Sequence, residues 1–106
     1  MAVETGWVTV AGVSDVRPGT VEVFEVDGRA LCVGQTADGR WGAIDDLCTH
    51  DGGDLGEGEL VGDAVECPRH GSVFDLFTGE ALTLPAVFPV KAYPARVEDD
   101  QVKVQL

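Results

Sequence analysis

Val21-Glu22-Val23-Phe24-Glu25-Val26-Asp27-Gly28-Arg29-Ala30-Leu31-Cys32-Val33-Gly34 is the stretch whose reading decides the fold. Its first six residues partly alternate apolar and polar with period two, the spacing that lays one face of a strand on a core. Asp27-Gly28 then offers a tight two-residue turn, and the run after it reads as the returning strand. Outward from this hairpin the pattern repeats. Asp38-Gly39 turns the chain into Trp41-Gly42-Ala43-Ile44, and near the C-terminus Val90 to Val97 and Gln101 to Leu106 flank Glu98-Asp99-Asp100 as another hairpin-like pair. Short β-branched runs separated by glycine-rich turns, with no amphipathic helix, internal repeat or low-complexity tract, predict an all-β sandwich or barrel.

The 106 residues carry 7 Lys plus Arg against 19 Asp plus Glu, a formal charge of −12. One domain is expected at this length, folding with a thin margin that a bound metal would widen. A hydrophobic content of 44% excludes a disordered acidic polymer. The charge argues against a nucleic-acid partner and against an anionic membrane surface, both of which need clustered Lys and Arg. No run approaches the ~18 apolar residues of a membrane span. Met1 to Gly6 shows neither a basic nor an apolar leader region, so a soluble, cytoplasmic protein is expected. Three cysteines are too few, and odd in number, for a disulfide-stapled secreted domain.

One segment departs from the strand pattern. From Asp45 to Gly71 the chain is rich in Gly, Asp, Glu, Cys and His and poor in apolar residues. It is too long for an ordinary connection, so something other than apolar burial is expected to order it, and metal binding would do so. Both histidines and two of the three cysteines fall here. Cys48-Thr49-His50 is followed, after sixteen residues, by Cys67-Pro68-Arg69-His70. Thiolate plus imidazole selects zinc or iron–sulfur chemistry over hard cations. Two separate Cys/His pairs fit the spacing of structural zinc sites poorly. They fit better a binuclear cluster held by two opposed loops.

Cys48-Thr49-His50-Asp51-Gly52-Gly53 and Cys67-Pro68-Arg69-His70-Gly71-Ser72-Val73-Phe74-Asp75 resemble the two loops of a Rieske [2Fe–2S] protein. Thr78-Gly79-Glu80 is similar to that family's turn after the second loop, and Leu84 to Val90 to its proline-containing segment over the cluster. The resemblance implies a single Rieske domain over 1–106, with residues about 45–84 as a cluster-binding subdomain inserted into an antiparallel β-sandwich or barrel-like base. It implies one [2Fe–2S] cluster, with Cys48 and Cys67 on one iron and His50 and His70 on the other.

The departures narrow the kind of Rieske protein. High-potential respiratory and photosynthetic relatives carry an extra cysteine in each loop, where this chain has Gly53 and Arg69. Phe74 replaces their tyrosine donor to a ligand sulfur, while Ser72 is retained. Fewer donors to sulfur imply a potential near the low end of the Rieske range, about −150 mV. A terminal oxygenase would need a second iron on two further histidines, and both are used. By resemblance the chain is the ferredoxin of a multicomponent, ring-hydroxylating oxygenase. It carries electrons from a NAD(P)H-dependent flavin reductase to the terminal oxygenase and is not itself an enzyme. The alternative within the family is the small Rieske subunit of an assimilatory nitrite reductase; outside it, a zinc-stabilised binding module.

Other residues divide between packing and partner contact. Cys32 sits in an apolar run and is expected in the core as a small hydrophobe. Trp7 and Trp41 read as core or sheet-face residues. Eight acidic residues and no Lys or Arg lie between Asp45 and Glu66. They read either as a solvated face or as charge that steers a basic docking surface toward the cluster. Arg69 is the one base in the ligand motifs.

Overall fold

In the computed structural model the described residues are 6–47, 55–68, 71–83 and 88–106. Among them the chain forms ten strands and two single-turn 3₁₀ elements. The opening hairpin is realised residue for residue. β2 (Thr20–Val26) pairs antiparallel with β3 (Arg29–Gln35), with Val26 opposite Arg29. Both turn residues, Asp27 and Gly28, have positive φ, the conformation of the tight turn that matches strand twist. β4 (Trp41–Asp45) extends the sheet, and β8 (Ala92–Tyr93) completes the order β2-β3-β4-β8.

A second sheet has the order β1-β10-β9, from β1 (Trp7–Gly12), β10 (Gln101–Gln105) and β9 (Ala95–Glu98). Asp99 and Asp100 form the turn between its last two strands, both at positive φ. The expected strand over Val90–Val97 is divided. β8 belongs to the first sheet and β9 to the second, with Pro94, which has no N–H to donate, where the chain changes sheets.

Within the four-stranded sheet β3 and β4 are buried on both faces, which explains the unbroken apolar run Leu31-Cys32-Val33. Leu31, Val33 and Ala43 join Tyr93, Val102 and Val104 in one core against the second sheet. Cys32 and Ile44 point the other way, with Val21, into a core shared with Leu55, Val65, Cys67, Phe74 and Leu76. Gly34 and Gly42 lie opposite each other in β3 and β4. A Cβ on Gly42 would collide with Leu76, and one on Gly34 would collide with Val21 and press on Leu76, so the pair forms the floor on which Leu76 sits.

Over residues 55–68 that second core corrects the expectation that apolar burial does not order the segment from Asp45 to Gly71; residues 48–54 and 69–70 lie outside the described residues. The segment contributes β5 (Glu59–Val61) and β6 (Ala64–Glu66), which pair with β7 (Val73–Asp75) in a third sheet. Its apolar residues are few and widely spaced, but Leu55, Val65 and Cys67 are almost wholly buried. Among the described residues no helix is long and apolar enough to cross a membrane.

Candidate metal centre

The second loop begins where β6 ends. Cys67 N–H donates to Ser72 O at 2.7 Å, and Gly71 N–H donates back to Cys67 O at 3.1 Å. The Cys67 side chain is buried, unlinked by a disulfide, and packs on the shared core. Thr83 braces the loop's exit: its Oγ1 accepts from Val73 N–H at 3.0 Å and donates to Gly71 O at 3.3 Å. Ser72 is fully buried, and among the described residues its hydroxyl has no hydrogen-bond partner. Buried hydroxyls are normally satisfied, so an orphan in this loop marks where a missing acceptor belongs.

The first loop springs from the end of β4. Asp45 N–H donates to Lys91 O at 2.9 Å, and Tyr93 Oη donates to Asp45 Oδ1 at 2.6 Å. Burial, reinforced by the Asp45 carboxylate, raises the Tyr93 phenol above its usual value. Asp46 N–H donates to Ala30 O at 3.0 Å, and Asp46 Oδ1 accepts from Gly56 N–H at 2.6 Å. The chain thus leaves the base at Asp46 and is tied back to it at Gly56.

Of the four predicted ligands, Cys67 is among the described residues. Cys48, His50 and His70 lie outside them, as do Arg69, Gly52, Gly53 and residues 84–87. Cys32 is fully buried in β3, as expected of a packing residue. Burial pushes its thiol up to about 12, with the charges of Asp46 and Glu22 adding to the shift. Trp7 is half-buried beneath the Arg96 guanidinium, 4.1 Å from its ring centroid, and Trp41 packs against the second-sheet core.

The acidic stretch is less uniformly exposed than its composition suggests. Asp45 and Asp46 accept the internal hydrogen bonds just described. Asp63 pairs at 2.6 Å with Arg40, a base supplied by the β3–β4 turn. Arg40 also holds Asp38 and lies 5.1 Å from the Phe77 ring centroid. Three large apolar residues close in sequence to the ligand motifs or to residues 84–87 are exposed. Leu47 and Leu82 are nearly half exposed and Phe88 is 68% exposed. Leu47 directly precedes Cys48, while Leu82 and Phe88 bracket residues 84–87.

Sequence reasoning missed the bracing by Asp45, Asp46 and Thr83. Short Asp and Thr side chains at the ends of loops often bond nearby backbone, and that is the signal that could have found them.

The sequence profile of the Rieske [2Fe-2S] domain matches residues 6–94. The ferredoxin component of the naphthalene 1,2-dioxygenase system of Pseudomonas putida is 35% identical over 100 residues, covering 94% of this chain and 95% of the relative. Among solved structures, the ferredoxin of carbazole 1,9a-dioxygenase from Nocardioides aromaticivorans IC177 superposes with a TM-score of 0.88 at 34% identity, covering 95% of this chain and 98% of that one. A chain from a complex of reduced oxygenase and oxidized ferredoxin in carbazole 1,9a-dioxygenase does so with a TM-score of 0.86, also at 34% identity, covering 96% of this chain and 94% of that one.

Proposed function

Because the chain belongs to the Rieske [2Fe-2S] domain family, we propose that it is the ferredoxin of a multicomponent oxygenase. It takes one electron at a time from a NAD(P)H-dependent flavin reductase and delivers it to a terminal ring-hydroxylating oxygenase. Its cofactor is a Rieske-type [2Fe–2S] cluster, and it is an electron carrier, not a catalyst. The carrying observation is coverage: the chain spans 95% of the naphthalene relative's length, and that relative is a ferredoxin component.

Cys48 and Cys67 would hold one iron, and His50 and His70 the other. The residues present suit the group. A free, buried Cys67 and an orphaned Ser72 hydroxyl stand in one loop, and two thiolates with two imidazoles are the donor set of such a cluster. When bound, it supplies a one-electron couple whose reduced form is favoured by neutral imidazoles in place of thiolates. The protein's part is positional. The backbone pair between Cys67 and Ser72 fixes the second loop, Ser72 Oγ offers a proton to an acceptor there, and Leu47, Leu82 and Phe88 offer an apolar contact to a docking partner. The domain reading goes with this: residues about 45–84 form a subdomain inserted into one 1–106 domain, supported by the third sheet and by the core it shares with β3 and β4.

Iron, zinc and acid-labile sulfide per chain, with an EPR spectrum of the dithionite-reduced protein, test the cluster. About two irons and two sulfides, with the low average g of mixed Cys/His ligation, are expected. One zinc and no sulfide would overturn the reading. Reductase-dependent oxygenase turnover that requires this chain tests the partners.

A further inference from the structure

A side chain joins the two described residues, Asp46 and Gly56, that flank the first proposed ligand segment. Asp46 stands one residue past the β3–β4 ladder, and its N–H, bonded to Ala30 O at 3.0 Å, fixes its backbone to β3. From there Oδ1 reaches across to Gly56 N–H at 2.6 Å, joining residues ten apart through one short side chain. Leu55, next to Gly56, is fully buried among Val21, Cys32 and Ile44. The far end of the loop is therefore anchored in the core, while its near end is anchored in the sheet. Gly56 is fitted to this contact. A Cβ there would overlap Val23 Cγ2 and lie 3.2 Å from Asp46 Oδ1, so a side chain would drive the N–H off its acceptor.

We propose that Asp46 is a positioning residue for the cluster: by closing the loop neck onto Gly56 N–H, its carboxylate fixes the segment that carries Cys48 and His50. The inference rests on the reading that those two residues are ligands. Asp46 keeps its charge, but the bond fixes Oδ1 at the neck of the loop. A hydrogen bond to a charged acceptor is worth about tenfold or more in an equilibrium, and here that factor acts on how firmly the loop keeps its ligands in place.

The test compares the iron-loaded wild-type protein with Asp46→Ala and Asp46→Asn. Cluster loss in excess chelator is followed by visible absorbance, and the reduced EPR spectrum is recorded for each. Asn keeps an oxygen acceptor for Gly56 N–H and Ala does not. Asp46→Ala is expected to lose the cluster about tenfold faster than wild type, with broadened g features from a looser ligand geometry. Asp46→Asn is expected to stay within about threefold and to keep the sharp spectrum, since a neutral acceptor retains roughly half the strength of a charged one. An Asp46→Ala protein that matches wild type overturns the clasp, and so does an Asp46→Asn protein as labile as Asp46→Ala, because charge rather than the bond would then be responsible. Should Asp46→Ala fail to fold, Asp46→Asn decides alone: wild-type retention and spectrum support the clasp, and tenfold faster loss overturns it. A wild-type protein without iron and sulfide overturns the ligand reading itself, and the clasp with it.

Discussion

Replacing Ser72 by Ala should change the metal-free and the cluster-bound protein in opposite directions. Ser72 is fully buried, its carbonyl accepts from Cys67 N–H, and among the described residues its hydroxyl has no partner. In the metal-free chain that orphan costs about 1–3 kcal/mol of desolvation. Removing one oxygen leaves only a small gap, so Ser72→Ala should stabilise the metal-free chain by about 1 kcal/mol, or about 4–8 °C in melting temperature for a domain near this size. On the proposed ligand set, the same hydroxyl would donate to sulfur when the cluster is bound, and that bond would strengthen when reduction adds negative charge. If the reduced form gains about 1–1.4 kcal/mol more than the oxidised form, losing the donor lowers the potential by about 40–60 mV for a one-electron couple. Melting of the chelator-treated chains measures the first effect, and a redox titration followed by circular dichroism measures the second. An unchanged potential would refute donation to the cluster. A metal-free variant less stable than wild type would show that the hydroxyl already has a partner.

Three further outcomes are expected. Phe88→Ser should leave iron content unchanged, because the ring is 68% exposed, yet slow electron delivery to the oxygenase several-fold; equal rates would remove Phe88 from the docking surface. Electron transfer to the partner should slow as ionic strength rises from low to physiological, and a salt-independent rate would end the steering idea. The Cys32 thiol, pushed up to about 12 chiefly by burial, should resist thiol reagents at pH 8 until the protein unfolds. Since its folded value lies above the unfolded one, the associated stability is complete below about pH 9 and is lost as pH rises toward 12. Cys32→Ala should flatten that alkaline loss in a pH series of denaturant melts, and an unchanged alkaline limb would sink the assignment.

Local pattern carried much of the fold. Asp27-Gly28 and Asp38-Gly39 announced their hairpins because turn chemistry is contained in two or three residues. The proposed pairing of Cys48 and His50 with Cys67 and His70 rests on a similar signal, scarce ligand types in tight spacing, but of the four only Cys67 lies among the described residues. What escaped was set by distance in sequence. β1 closes against β10 across almost the whole chain, and nothing near Trp7 signals that partner. Leu55, Val65 and Cys67 form no period that a window could detect, yet they bury together with Cys32 and Ile44 from the base. A count of acidic residues from Asp45 to Glu66 also could not see Arg40, which reaches Asp63 from another turn.

The acidity of the chain therefore has two physical roles, divided largely by side-chain length. Aspartate, with one methylene, reaches neighbouring backbone and serves turns and loop necks. Asp15 accepts from Gly12 N–H, Asp46 from Gly56 N–H, and Asp75 from the N–H groups of Phe77 and Thr78. Asp27, Asp99 and Asp100 occupy the left-handed positions of two hairpin turns. Such carboxylates hold structure in place. Glu59, Glu66 and Glu80, one methylene longer, stand exposed around the third sheet and accept none of these turn and neck bonds. The formal charge of −12 is unchanged by these bonds, since an amide donor adds no positive charge, but it divides between carboxylates fixed to backbone and exposed glutamates that can reach a partner. Substituting the glutamates should weaken the salt dependence of electron transfer, whereas substituting the loop aspartates should first loosen the fold and the cluster.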